Sequence, residues 1–82
     1  MIHLITQRAA ISDCIPWVQA NDQIVLTGTA AALKVDKLEL PAEVTIAVFE
    51  AESESAQNME AYLITIDEWI EWLEKSPCRT WS

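Results

Sequence analysis

Glycine is almost absent from this sequence, which has a single one, Gly28, in 82 residues. Glycine-rich loops cradle the phosphates of nucleotides, and GxGxxG, Walker and GxSxG motifs are all missing, so nucleotide binding is disfavoured. Two cysteines are too few for a disulfide framework and do not form a CxxC pair. Together with one histidine, they show no metal-ligand spacing. The sequence therefore predicts no metal site and no cofactor.

Basic residues are also scarce, with 5 lysines and arginines against 13 aspartates and glutamates and a formal net charge of −8. A chain this acidic repels phosphate backbones, so direct binding to nucleic acid is disfavoured. No run of about 18 apolar residues occurs, and the first eight residues, MIHLITQR, lack a basic start and a long apolar segment. These absences predict a soluble, cytoplasmic protein without a membrane segment.

Hydrophobic residues, in contrast, make up 51% of the chain and include four tryptophans. This apolar content exceeds what the small core of one 82-residue domain needs. We expect a single domain, residues 1–82, that presents an apolar surface to a partner. A homodimer of the isolated chain is a further option.

The rest of the chain is organised around residues 22–33, DQIVLTGTAAAL. The short β-branched run at residues 24–26 is typical of a strand that is buried on both faces, as in parallel sheets. Gly28 then supplies a turn, and Thr27 or Thr29 can cap the helix that the alanines propagate. Parallel α/β folds place their chemistry where strands end and helices begin, so we expect any site to lie near Gly28.

Strands and helices alternate along the rest of the chain. Strands are predicted at residues 1–5, 24–26, 44–49 and 62–66, with an added edge strand at 78–82. Helices are predicted from Asp13 to about Asn21, from Gly28 to about Lys37, and from an N-cap at Asp67 to Lys75. This alternation predicts an α/β fold with a mostly parallel sheet of four or five strands flanked by helices.

Two segments have more than one interpretation. The acidic residues 50–57, EAESESAQ, are typical of a solvated loop or a short surface helix, and alternatively of a mobile flap over the strand ends. Trp69 and Trp72 lie on one short helix whose apolar face is broad. Such aromatics belong to a core in most helices, but they also suit an interface.

Cys14 is the one side chain placed like a nucleophile. With Asp13 as N-cap, Cys14 lies in the first helical turn, where the helix dipole and free backbone N–H groups favour a thiolate. On this basis we expect Cys14 to be more nucleophilic than Cys78, although the neighbouring Asp13 opposes ionisation. The alternative is that Cys14 is a small buried hydrophobic residue. His3 likewise is either a packed residue or a catalyst, and a packed role is the commoner one.

The order and spacing of several motifs resemble those of the DsrH/TusB sulfur-relay family. The matching features are an opening strand MIHLI with its histidine, DQIVL followed by Gly28, the triplet Ala31-Ala32-Leu33, the segment ITIDEW at residues 64–69, and Trp81. The resemblance runs nearly from end to end. Cys14 matches in spacing the cysteine of the DsrH branch, which many TusB members lack. Thr27, however, stands where the family has an acidic residue.

The resemblance implies a small three-layer DsrE-like fold and a part in sulfur transfer, in which a cysteine receives a sulfane sulfur as a persulfide. Family members work in complexes with DsrE/TusD-like and DsrF/TusC-like subunits, in 2-thiolation of the tRNA wobble uridine or in oxidative sulfur metabolism. Cys14 would be the persulfide carrier, which would make the chain at most a sulfurtransferase subunit. Alternatively, the chain is a structural subunit without chemistry, or an unrelated α/β domain that dimerises.

Overall fold

The computed structural model describes residues 1–33, 40–41, 43–55 and 61–82. The strands are β1 (Ile2–Ile5), β2 (Gln23–Leu26), β3 (Thr45–Phe49), β4 (Tyr62–Ile64) and β5 (Cys78–Trp81). The helices are α1 (Ile11–Cys14) and α2 (Ile66–Lys75). Short 3₁₀ segments occupy Arg8–Ala10, Ile15–Trp17, Gly28–Ala32 and Glu50–Ser55.

All five strands form one parallel sheet in the order β4-β3-β2-β1-β5. This confirms the predicted α/β fold, and the predicted edge strand at the end of the chain is β5, which pairs with β1 from Ile2↔Cys78 to Ile5↔Trp81. The first three connections advance across the sheet in one direction, and the last returns to the far side of β1. Right-handed crossovers then place α2 on the face opposite α1, which creates three layers.

Each face of the sheet has its own core, because successive strand residues point to opposite sides. On the side of α1 the core contains Ile5, Cys14, Ile24, Leu26, Ala30, Ile46, Val48 and Trp81. On the side of α2 it contains Ile2, Val25, Ala47 and Ile64, with Trp69 and Trp72 packed against them. The central run of β2 is fully buried on both faces, as predicted.

The first helix differs from its prediction at both ends. It begins at Ile11, so that Asp13 lies within it rather than capping it, and it ends at Cys14. Pro16 has no N–H to donate to the carbonyl of Ser12, and the chain continues as a 3₁₀ turn that ends at Trp17, well before Asn21. The predicted extension to Asn21 is therefore wrong.

Two further predictions of capping residues are also wrong. The N-cap of α2 is Thr65, not Asp67, because Thr65 and Glu68 form a reciprocal capping box. Thr27 does precede the 3₁₀ segment Gly28–Ala32, but its hydroxyl makes no capping bond. The predicted second helix is therefore wrong over the described residues, because the 3₁₀ segment ends at Ala32 and Leu33 is extended. Residues 34–39, into which the prediction continues, lie outside the described residues.

Candidate functional site

The carboxyl edge of the sheet, where a site was predicted, is closely packed around Gly28. The residue has a positive φ of 58°, in the left-handed region that favours glycine. A Cβ at this position would lie only 2.7 Å from the carbonyl oxygen of Thr6. Gly28 therefore serves the close approach of the two chain segments that leave β1 and β2.

A carboxylate accepts a backbone hydrogen bond at this edge. Glu52, in the 3₁₀ segment Glu50–Ser55, accepts a hydrogen bond from the Gly28 N–H at 2.9 Å and another from the Thr27 hydroxyl. Nearby, the Arg8 N–H donates to Thr29 Oγ1 at 3.0 Å. The acidic stretch is thus a short surface helix, one of its predicted forms, and its role as a mobile flap stays a prediction. The Gly28 N–H and the Thr27 hydroxyl are therefore already engaged by a carboxylate of the chain itself.

Cys14 is the last of the four residues of α1, so its predicted place directly after a cap at Asp13 is wrong. The side chain is fully buried, and this burial raises the pKa of its thiol to about 11, although the charge of Arg79 acts in the opposite direction. At pH 8, about one folded molecule in a thousand would carry the thiolate at this pKa. The arrangement matches the alternative in which Cys14 packs as a small hydrophobic residue. A role for Cys14 in sulfur transfer stays a prediction, and it requires the thiol to become exposed.

Cys78 differs from Cys14 in its exposure. It begins the edge strand β5 and is open to solvent. Partial burial raises the pKa of the Cys78 thiol, and a hydrogen bond from the Leu4 backbone opposes this rise. Of the two cysteines, Cys78 is the one that a reagent in solution can reach.

The amino edge of the sheet holds a buried polar network that sequence reasoning missed. The Trp81 indole N–H donates to His3 Nδ1 at 3.2 Å, and His3 Nε2 lies 2.9 Å from Asp22 Oδ2. An indole N–H can only donate, so Nδ1 accepts and the ring proton is on Nε2, where it bonds the Asp22 carboxylate. Both ring nitrogens of His3 are thereby engaged, which leaves neither to act as a base toward a substrate.

Asp22 is the centre of this network. Its carboxylate also accepts the Gln19 backbone N–H at 2.9 Å and lies 3.1 Å from the terminal ammonium of Met1. Burial alone would raise the pKa of Asp22, but the hydrogen bonds from Gln19, His3 and the terminal ammonium outweigh it and hold this pKa below its usual value. Asp22 therefore stays ionised although it is buried.

Arg79 borders the same network on β5. Its guanidinium lies 4.2 Å from the ring centroid of Trp81 and 5.7 Å from that of Trp17, in cation–π geometry. A cavity of about 240 Å³ opens here between Arg79, Trp17 and Asp22. No buried polar side-chain atom among the described residues lacks a hydrogen-bond partner. The network is thus satisfied internally, and it joins the first strand to the last.

The sequence offered little signal for this network. His3 and Asp22 are 19 residues apart, and Trp81 is 78 residues from His3. The parallel register that pairs Ile2 with both Gln23 and Cys78 brings the three side chains together. Only a correct order of strands could have predicted their contact.

The tryptophans of α2 contact the sheet and its edge. Trp69 meets Phe49 edge-to-face at a centroid distance of 5.6 Å, and Trp72 stacks on Tyr62 at 6.1 Å. Tyr62 also donates its hydroxyl proton to Glu68, which lowers the pKa of that carboxyl. Of the two interpretations of these tryptophans, packing on the core is the one that the contacts support.

Among the described residues, no three histidine, cysteine or acidic side chains group as metal ligands. In the same part of the chain, no helix is both long and apolar enough to cross a membrane. Comparisons with known proteins add no assignment, because no family model, no curated protein and no solved structure matches this chain.

Proposed function

We propose that this chain is a cytoplasmic subunit of a sulfur-relay complex of the DsrEFH/TusBCD kind, with DsrE/TusD-like and DsrF/TusC-like partners. Its pathway would be persulfide sulfur transfer for 2-thiolation of the tRNA wobble uridine. The order of DsrH/TusB-like motifs supports this proposal, and so does the parallel three-layer sheet, which is the fold that the resemblance implies. The net charge of −8 suits a subunit that does not bind tRNA itself.

Within such a complex, we assign this chain a structural role. The observation that carries this choice is the burial of Cys14, whose pKa is raised to about 11. Sulfur transfer needs a thiolate in contact with the donor, because the thiolate attacks the outer sulfur of a persulfide. That attack forms a new S–S bond and breaks the donor's S–S bond, and the donor thiolate leaves. A thiol without solvent contact cannot make this attack from its buried position.

The second candidate is that Cys14 carries the persulfide after the complex exposes it. Two features favour this candidate: Cys14 matches the position of the cysteine in the DsrH branch, and the charge of Arg79 favours its thiolate. In this case a partner subunit would have to open the packing around α1.

Mass analysis after exposure to a persulfide donor separates the two roles. The wild-type chain, Cys14→Ala and Cys78→Ala would each be treated with and without the DsrE-like and DsrF-like subunits. For a structural subunit, we expect sulfur on a partner and none on Cys14. One added sulfur atom that maps to Cys14 and is lost in Cys14→Ala, but not in Cys78→Ala, would establish the carrier instead.

Thiol reactivity of the isolated chain tests the burial directly. We expect iodoacetamide at pH 8 to alkylate Cys78 about 100-fold faster than Cys14, because Cys14 reacts only when the chain opens locally. This order is the reverse of the one expected from a first-turn position. In urea the two rates should converge. Equal rates in the folded chain would contradict the burial of Cys14.

A further inference from the structure

Helix α2 has a second apolar side that remains largely open to solvent. Ile66, Ile70 and Leu73 are 63%, 50% and 42% exposed. Spacings of four and three residues place them on one side of the helix. The sheet-facing side is already formed by Trp69 and Trp72. Three large aliphatic side chains on one side of a ten-residue helix form an apolar surface of the kind that marks an interaction site.

A cavity beside Ile66 extends this surface. It has a volume of about 360 Å³ and lies at the carboxyl ends of β3 and β4. Phe49, Ile64 and Ile66 contribute its apolar walls. An aliphatic or aromatic side chain of a partner would fit there, as the buried anchors of protein interfaces do.

Carboxylates border this apolar surface. Asp67, Glu71 and Glu74 are exposed on α2, and Glu50 is exposed at the cavity. Lys75, in the last turn, is the one basic residue of the helix. The border of the surface is therefore strongly negative.

We propose that the α2 docking face, defined as Ile66, Ile70, Leu73 and the cavity beside Ile66, binds a different protein, whose contact surface carries an apolar anchor bordered by lysine or arginine. The charge of the border selects this occupant over a second copy of the chain. A two-fold dimer through this face would bring the acidic borders of both copies together, and like charges in contact are unfavourable. This proposal rests on the proposed function in one respect: the partner is expected to be a different subunit of the same complex.

Zero-length cross-linking tests both the location and the charge of the contact. The full chain would be purified with its partners from its own cells by an affinity tag and treated with a carbodiimide, which joins carboxylates to neighbouring lysine amines. We expect cross-links from partner lysines to Asp67, Glu71 or Glu74. Cross-links confined to other parts of the chain, or no cross-linked partner, would overturn the proposal. A cross-link between Lys75 of one copy and Glu71 of a second copy would also overturn the proposal.

Variants on α2 then measure the contribution of each feature to binding of the cross-linked partner. Ile70→Asp should weaken binding about 30-fold, as expected for a central apolar contact. Glu71→Lys should slow association about fivefold at low salt and have less effect at high salt. The matched control is Asp13→Lys, which makes the same charge change at an exposed residue of α1 on the opposite face.

Circular dichroism and thermal melting would verify that each variant is folded. Equal effects of Glu71→Lys and Asp13→Lys would contradict the proposal, because the electrostatic effect would then reflect net charge rather than this face. The outcome for sulfur relay is separate. Cross-links at α2 to a partner that never carries persulfide would refute the proposed function and keep the docking face, whereas persulfide transfer with cross-links elsewhere would do the opposite.

Discussion

Two carboxylates accept hydrogen bonds that join distant segments of the chain, one at each edge of the sheet, but one is buried and the other is partly exposed. Asp22, at the amino edge, accepts hydrogen bonds from His3, from the Gln19 backbone and from the terminal ammonium, and is buried. Glu52, at the carboxyl edge, accepts a side-chain and a backbone hydrogen bond and remains partly exposed. Each one joins segments that are distant in the sequence.

The difference in burial determines what each carboxylate contributes. When a buried acceptor is removed, its donors have no hydrogen-bond partner, because water does not reach them. When an exposed acceptor is removed, water replaces it as the partner of its donors. Asp22 should therefore contribute much more to stability than Glu52. The carboxyl edge, where the sequence predicted a site, is therefore the edge whose carboxylate contributes less to stability.

Asp22→Ala should have the largest effect. The substitution leaves the buried His3 Nε2–H and the Gln19 N–H without their acceptor, and we expect the free energy of unfolding to fall by about 3 kcal/mol. Urea denaturation at pH 7, followed by tryptophan fluorescence, would measure this. A loss below about 1 kcal/mol would show that water reaches these donors.

The pH dependence of stability sharpens the role of Asp22. Its folded-state pKa is lowered, so its stabilisation is complete above about pH 4 and is lost as the pH falls through the folded-state value. The wild type should therefore lose stability in this acid range more steeply than Asp22→Ala. Parallel acid limbs for the two proteins would contradict the assignment.

Gly28→Ala should have an intermediate effect at the carboxyl edge. A Cβ would clash with the Thr6 carbonyl oxygen, and the positive φ adds backbone strain, so we expect a loss of about 2 kcal/mol. Gly28→Asn separates the two causes, because asparagine tolerates a positive φ but still carries a Cβ. Equal losses in both variants, measured by thermal melting, would identify the clash as the main cause. A smaller loss for asparagine would identify the backbone strain.

Glu52→Ala should have the smallest effect. Its partners, the Gly28 N–H and the Thr27 hydroxyl, can bind water instead, so we expect a loss of about 1 kcal/mol or less. Denaturation under the same conditions as Asp22→Ala provides the comparison. A loss equal to that of Asp22→Ala would contradict the link between burial and contribution.

The sequence predicted the fold more completely than the site. The four strands predicted before residue 78, the glycine turn after β2 and the final edge strand all correspond to the structure. The helix boundaries were less predictable, because Pro16 shortens the first helix and Thr65, paired with Glu68, caps α2 two residues before the predicted cap Asp67. The first-turn position predicted for Cys14 depends on a cap at Asp13, which the helix does not use.

Local patterns were sufficient for the alternation of strands and helices, because periodicity, branching and turn chemistry act over a few residues. The assembly of distant side chains depended on the order and register of the strands. That order placed β5 beside β1, buried Cys14 under one face, and brought Trp81 to His3 and His3 to Asp22. It also placed α2 on the other face, with Ile66, Ile70 and Leu73 exposed. Contacts across such separations depend on which strands pair, and no short stretch of sequence contains that information.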